Sequence, residues 1–315
     1  VAEKDMKSRR LFITGGAGFI GSHLAEELSR QGHQVVVYDN LRTGSRMNLS
    51  GIPHEYIDGD VRDYALLLAS MTGCDAVFHL AALTSVAESM ENIDECIEIN
   101  VQGTVNILKA ARQNKLKKCV FASSAAVYGD SPVVPKTEDM IPQPKSPYAI
   151  TKLDGEYYCE LFRQYFGLST VCARFFNVFG ERQDPRSAYA AAIPIFMSNA
   201  LRHEPVSVYG DGAQTRDFIY IKDIVKAMLF LMDNGEGSIN IGYGKQITVN
   251  QLVTTIQAIF HSPAEVIHVA ERPGEIRHSY ASVLKLSSLG FQPLHTLDEG
   301  LQRTADYFIS CQTKD

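Results

Sequence analysis

Positive charge is in short supply. The 315 residues carry 30 Lys and Arg against 36 Asp and Glu, a net charge of -6. A protein that holds nucleic acid through its phosphates needs a basic face. Here the basic clusters are short, as in "KLKK" ending at Lys118, so nucleic acid is not an expected partner. Long apolar runs are missing as well. None approaches the ~18 residues that span a bilayer, and the N-terminal stretch lacks a signal-peptide pattern. Neither a membrane span nor export is expected. The six cysteines include no C-x-x-C pair and no histidine partners at metal-ligand spacing. That pattern offers neither a zinc site nor a disulfide framework. Reduced thiols filling space in a cytoplasmic protein are the expectation, with no metal. No internal repeat and no low-complexity tract is present. What remains is ordinary globular material, 45% hydrophobic and 21% charged, enough for a substantial core.

Six short runs read as strands: "RLFIT", "QVVVYD", "HEYIDGD", "AVFHLAA", "KCVFASS" and "STVCARF". They are apolar throughout rather than alternating, as strands covered on both faces are. Amphipathic stretches such as "FIGSHLAEELSRQG" and "CIEINVQGTVNILKAARQ" lie between them. This rhythm predicts an α/β fold, a doubly wound parallel sheet. It loosens after Asn177, where "NVFGERQDPRSAYAAAIP" is rich in loop residues. We therefore expect a dinucleotide-binding domain over 8–176. A smaller, partly interleaved α/β lobe over 177–312 would return segments to the sheet.

The first turn carries the clearest motif. "LFITGGAGFIGSHLAEEL" runs from strand to helix, with Gly15, Gly18 and Gly21 at G-x-x-G-x-x-G spacing. Glycine lets the backbone approach a pyrophosphate whose charge rests at the helix N-terminus, beside Phe19 and Ile20. Asp39 ends the second strand, followed by Asn40, at the distance where a carboxylate meets an adenosine ribose. Its charge would repel a 2′-phosphate, which favours NAD over NADP; Arg42 and Arg46 weigh slightly the other way. "DGDVRD" closes the third strand and puts Asp60 and Val61 at the adenine edge, or else forms a plain turn.

A second constellation sits at "SPYAITKLDGEYYCELF". Ser146 suits a helix N-cap and Pro147 the first helical position. Tyr148 and Lys152 then fall four apart, on one face. A free phenol, with a pKa of about 10, is a poor base at neutral pH. A lysine ammonium and a bound nicotinamide cation would both favour its phenolate.

With "TGGAGFIG", Asp39, "DGDVRD", "HLAA", "SSAAVYG", Tyr148, Lys152, "RFFNVFGERQDP" and "RDFIYIKD" in place, the sequence resembles the extended short-chain dehydrogenase/reductases. Within them it is similar to the nucleotide-sugar 4-epimerases, over nearly the whole chain. That resemblance implies NAD as cofactor and Tyr148 as the acid–base group. It gives Lys152 the nicotinamide ribose as well, and Ser124 the sugar O4, with Ser123 beside it. Leu80, Ala81 and Ala82 would pass along the cofactor. Tyr128 is expected as a packed aromatic and Asn100 as a helix contact. Arg216 and Arg272 match the diphosphate-binding arginines, Asn177 a substrate-binding asparagine, and Tyr209 a residue facing uracil or a core aromatic. "AYAAAIP", ending at Pro194, would complete the nucleotide wall. Ser279 matches the position that bounds the sugar pocket, where a small side chain leaves room for an N-acetyl group.

Two alanines narrow the reaction. In dehydratase relatives an Asp–Glu pair follows the hydroxyl residue, and in decarboxylase relatives a Glu stands there; this chain has Ala125 and Ala126. Neither can move a proton. The resemblance therefore implies C4 epimerisation of a UDP-sugar through a 4-keto intermediate, by a homodimer. A UDP-glucuronate 4-epimerase, another nucleotide-sugar enzyme and a non-catalytic NAD sensor are the alternatives. The sensor would be expected to lose Tyr148 or Lys152.

Overall fold

β1 (Arg10–Thr14) buries Leu11, Phe12 and Ile13 completely, as a strand covered on both faces must. β2 (Gln34–Asp39), β3 (Glu55–Asp58), β4 (Ala76–His79), β5 (Lys118–Ser124) and β6 (Thr170–Phe175) follow in the computed structural model. The model describes residues 8–185, 191–271 and 277–312. Two of the expected strands are shorter than their apolar runs. β3 stops before Gly59 and β4 before Leu80, and the residues beyond leave the ladder as loops.

Later strands are β7 (Asn177–Phe179), β8 (Val206–Tyr209), β9 (Thr215–Arg216), β10 (Phe218–Tyr220), β11 (Gly237–Ile241), β12 (Ile247–Thr248), β13 (Val266–Val269) and β14 (His278–Ser279). The main sheet has seven strands in the order β11-β6-β5-β4-β1-β2-β3. The pairs β1·β2, β1·β4, β2·β3 and β4·β5 are all parallel. The chain winds outward from β1 to β3, then restarts at β4 on the other side. That reversal opens a crevice beyond the ends of β1 and β4, where ligands of this fold class settle.

Two compact units share the chain. The first comprises the residues up to Ser124, Ser146–Ala173 and Met228–Ile239. The second comprises Ala125–Lys145, Arg174–Ala227 and the residues from Asn240 onward. One exchange, between Ala173 and Arg174, lies close to the expected boundary at 176/177; the others are internal to both expected lobes. The second unit holds three small sheets, ordered β10-β7, β12-β9-β14 and β13-β8. Among the described residues no helix is long and apolar enough to cross a membrane. No group of His, Cys, Asp or Glu among them could hold a metal ion. Cys74, Cys96, Cys119, Cys159 and Cys172 are buried and Cys311 is exposed, and none of the six is in a disulfide.

Candidate active site

In the first unit, the turn after β1 is built around missing side chains. Gly15 has φ +69°, and a Cβ there would lie 2.8 Å from the Ala81 nitrogen. A Cβ at Gly21 would lie 2.1 Å from the Gly15 oxygen. The turn is thus pressed against both the helix Phe19–Arg30 and the loop that holds Leu80 and Ala81. Gly18 is the N-cap of that helix, gives it no side-chain cap, and no acidic residue occupies its first turn. Phe19 and Ile20 open it, half-buried.

Asp39 pins this turn from β2. Its carboxylate accepts the Ala17 N–H at 2.9 Å and the Leu41 N–H at 2.8 Å. Burial raises its pKa, and those two donors pull the other way. Asn40 donates to Asp60 at 2.9 Å. Asp60 is also paired with Arg62 at 2.7 Å, which holds its carboxyl down at about 2. The Asp60 side chain is therefore engaged by protein groups, while Val61 is buried.

The loop after β4 is held by a chain of hydrogen bonds. The Leu80 and Ala81 N–H groups both donate to the Thr14 hydroxyl oxygen, each at 3.2 Å. Thr14 lies 2.8 Å from His79 Nδ1, and His79 Nε2 lies 3.0 Å from the Thr104 hydroxyl, which donates to the Asn100 carbonyl. Because Thr104 spends its proton on Asn100, His79 must donate through Nε2 and accept from Thr14 through Nδ1. Burial, with Lys152 nearby, lowers the imidazole to about 3 and keeps it neutral. Asn100 fastens the next turn. It accepts the Leu83 N–H at 2.8 Å and donates to Thr151 at 3.0 Å, so it is a contact between elements, as expected. Ala82 is half-buried between these two ties.

The helix Pro147–Phe166 carries the residues expected to perform the chemistry. Ser146 caps it by accepting the Ala149 N–H at 3.2 Å, and Pro147 supplies its first residue. Tyr148 shares a side-chain hydrogen bond with Ser124, at the end of β5. Lys152 is buried, donates to the Ala122 carbonyl at 2.8 Å, and lies 5.8 Å from the Tyr148 ring centroid. Burial raises the phenol's pKa, opposed by Ser124, and lowers the ammonium to about 8. Ser123 does not join this group. Neighbouring strand residues point to opposite faces, and the Ser123 hydroxyl turns to Glu156 Oε1 at 2.5 Å. Its expected place beside the sugar is thereby corrected: Ser123 is 2% exposed and its proton is committed.

In the second unit, β9 and β14 pair in parallel with Arg216 opposite Ser279. Asn177 is close by, donating to the Asp217 carbonyl from its backbone at 3.1 Å and its amide at 2.9 Å. Tyr209, in β8, is 37% exposed, and its carbonyl accepts the Gln214 amide. Tyr128 is a buried aromatic whose hydroxyl bonds Arg174 at 2.8 Å and Asn240 at 2.6 Å. Arg272 lies outside the described residues, as does the start of the expected nucleotide wall; the helix Ala192–Leu201 takes up its end.

The profile of the NAD dependent epimerase/dehydratase family matches residues 11–242. The chain belongs to this family. Within it, the chain falls in the nucleotide-sugar 4-epimerase group of the extended short-chain dehydrogenase/reductases, and NAD is its cofactor. It is 40% identical to a UDP-N-acetylglucosamine 4-epimerase from Methanobrevibacter ruminantium, solved with UDP-N-acetylmuramic acid. That likeness has a TM-score of 0.94 and covers 97% of this chain and 100% of the other. It is 36% identical to a Thermus thermophilus UDP-glucose 4-epimerase solved with NAD (TM-score 0.88; 95% and 99% covered). A UDP-N-acetyl-alpha-D-glucosaminuronate decarboxylase from Bacillus cytotoxicus is 37% identical, with 95% and 98% covered.

The epimerase/dehydratase fold fits its cofactor here. The glycine turn is a cradle that any Cβ would fill, and the uncapped helix start leaves backbone donors for a pyrophosphate. The two arginines that could have met a 2′-phosphate are engaged elsewhere. Arg42 pairs with Glu88 at 2.8 Å and Glu95 at 2.9 Å, and Arg46 lies 4.1 Å over the Tyr56 ring. Thr14, His79 and Glu156 went unassigned in the sequence. A histidine inside the apolar run "AVFHLAA" was the available signal for the first two.

Proposed function

We propose that the chain interconverts the C4 epimers of a UDP-sugar. UDP-N-acetylglucosamine and UDP-N-acetylgalactosamine are the preferred pair, with UDP-glucose and UDP-galactose also accepted. One observation carries the reading: a phenol bonded to Ser124 and flanked by Lys152, with alanines at the two positions that follow. NAD, which the glycine turn, Asp39 and Lys152 would hold, would supply hydride transfer to and from C4 and a positive charge that favours the phenolate. Tyr148 takes the proton of the 4-hydroxyl as C4 is oxidised and returns it when hydride comes back on the opposite face. Ser124 holds the sugar oxygen in both directions, and Lys152 favours the phenolate and binds the cofactor ribose. No net oxidation results, and no second proton carrier is needed, which suits Ala125 and Ala126. A decarboxylase like the Bacillus cytotoxicus relative would call for a carboxylate there.

The substrate assignment rests on smaller supports. Ser279 leaves space for a C2 acetamido group, and the Methanobrevibacter ruminantium relative is named for an N-acetylated substrate. Arg216, Arg272, Asn177 and Tyr209 are assigned to the nucleotide, with the leucine and alanines at 80–82 and Val61 beside NAD. Filling the space at Ser279 tests the sugar. Ser279→Tyr should cost the N-acetylated substrate about 1–3 kcal/mol, roughly 5- to 150-fold in kcat/KM, and spare UDP-glucose. An unchanged ratio between the two sugars refutes the assignment. A homodimer is supported by the exposed apolar face of the helix Pro147–Phe166, and a cytoplasmic location by six thiols held outside any disulfide.

A further inference from the structure

Asp217 lies between Arg216 and Phe218 with no exposed surface. Its carboxylate accepts three backbone N–H groups: Tyr243 at 2.8 Å on Oδ1, then Gly244 at 2.9 Å and Ala281 at 3.0 Å on Oδ2. Its carbonyl takes both donors of Asn177. Four segments of the second unit therefore converge on one residue: β7, the link from β9 to β10, the turn after β11 and the stretch after β14. Three of them carry or adjoin a residue assigned to the nucleotide sugar. Asn177 is one such residue, Arg216 precedes Asp217, and Ser279 stands two residues before Ala281, in register with Arg216.

A buried carboxylate is an expensive way to fill space, since desolvation disfavours its charge. Burial pushes this one up to about 6 against its three donors. Hydrogen bonds to an ionised acceptor are stronger and more directional than neutral ones, which is what fixing three loops requires. The surroundings leave no slack. A Cβ on Gly242 would lie 2.8 Å from Asp217 Oδ2 and 2.7 Å from the Ala281 Cβ.

We propose that Asp217 is a positioning residue, whose carboxylate sets Arg216 and Ser279 relative to one another and so couples the grip on the diphosphate to the choice of sugar. This rests on the reading of Arg216 and Ser279 given above. An amide in its place would aim an N–H at backbone N–H groups, and at least one of the three ties would open. Arg216 and Ser279 would then hold their register less strictly, while Tyr148, Lys152 and Ser124 would be untouched.

The test is steady-state kinetics of NAD-loaded Asp217→Asn with UDP-N-acetylglucosamine and with UDP-glucose, beside Arg216→Ala. KM should rise about tenfold for Asp217→Asn while kcat stays within about threefold. The kcat/KM ratio between the two sugars should move as well. Gly242→Ala, which presses a methyl on the same carboxylate and keeps its charge, should shift that ratio the same way by less. It carries the test if the asparagine variant does not fold. Wild-type KM and sugar ratio, with kcat reduced only in proportion to the folded fraction, would overturn the proposal and leave Asp217 a structural group. If Arg216→Ala leaves KM unchanged, the diphosphate assignment fails and takes the proposal with it. A raised KM in Arg216→Ala alone overturns the coupling and spares the assignment.

Discussion

The helix Pro147–Phe166 has two faces, and each carries residues that an ordinary surface helix would place on the other. Tyr148, Lys152 and Glu156 follow one another at four-residue spacing and turn inward, Lys152 and Glu156 being only 4% and 5% exposed. On the opposite side Ile150, Tyr157, Leu161 and Tyr165 are 48%, 62%, 40% and 76% exposed. A surface helix normally buries its apolar stripe and shows its charges to water. Here polar groups are held inside at a cost, and two of them, Tyr148 and Lys152, are the residues proposed to carry the chemistry. The apolar groups left outside form the face assigned above to the proposed homodimer. Local stability alone would select neither arrangement.

Breaking the inner face should have the largest effects. Tyr148→Phe removes the proposed proton carrier and should lower turnover about 10²- to 10⁴-fold, the usual worth of a positioned acid–base group. Its NAD content, measured after heat extraction, should match the wild type. A variant retaining a tenth of wild-type turnover would show that the acid–base group is elsewhere.

Lys152→Met should come next, losing most activity and retaining NAD less well. It should also separate function from stability. The wild-type ammonium is held down at about 8 by burial, so below that pH the folded state bears a buried charge that the unfolded chain does not. The penalty is full at neutral pH and fades as pH rises through 8 toward the ordinary lysine value. The cofactor-free Met variant should therefore unfold at or above the wild-type temperature at pH 7. A markedly lower Tm would mean that Lys152 is needed for the fold rather than tolerated by it.

Glu156→Gln should be milder. Ser123 at 2.5 Å and Ser238 at 2.9 Å both donate to the carboxylate. An amide keeps one acceptor, so we expect about 1–2 kcal/mol lost from stability and turnover within a few-fold. The outer face should matter least to chemistry. Tyr165→Glu should shift the sedimentation profile toward monomer while kcat per subunit changes little. A variant that sediments as the wild type does would remove this face from the interface.

The inner face was largely legible in the sequence because Tyr148 and Lys152 are four residues apart on one continuous helix. The glycine turn was legible for the same reason: its glycines lie within seven residues and Asp39 closes it from the next strand, whereas its contact with Ala81 is made only by the fold. Ser123 and Ser124 are adjacent in sequence, yet strand alternation sends their hydroxyls to opposite sides. No sequence pattern says which one meets Tyr148. Glu156 was passed over because a helical glutamate ordinarily faces water. Arg216 and Ser279 meet through the pairing of β9 with β14, strands some sixty residues apart in sequence that are joined only in the fold. The interleaving of the two units is of the same kind, since no change of composition marks the exchanges at Ser124 or Lys145.

The central claim is that hydride leaves and returns at C4, and the proton at its hydroxyl oxygen, with nothing gained or lost. It is tested by incubating the purified protein, without added NAD, with UDP-N-acetylglucosamine and following sugar and cofactor together. Proton NMR should show an equilibrium mixture of the two C4 epimers at unchanged mass. No reduced nicotinamide should accumulate, and Tyr148→Phe should produce neither change. Accumulation of NADH in step with product, or a product lighter by water or carbon dioxide, would contradict the account.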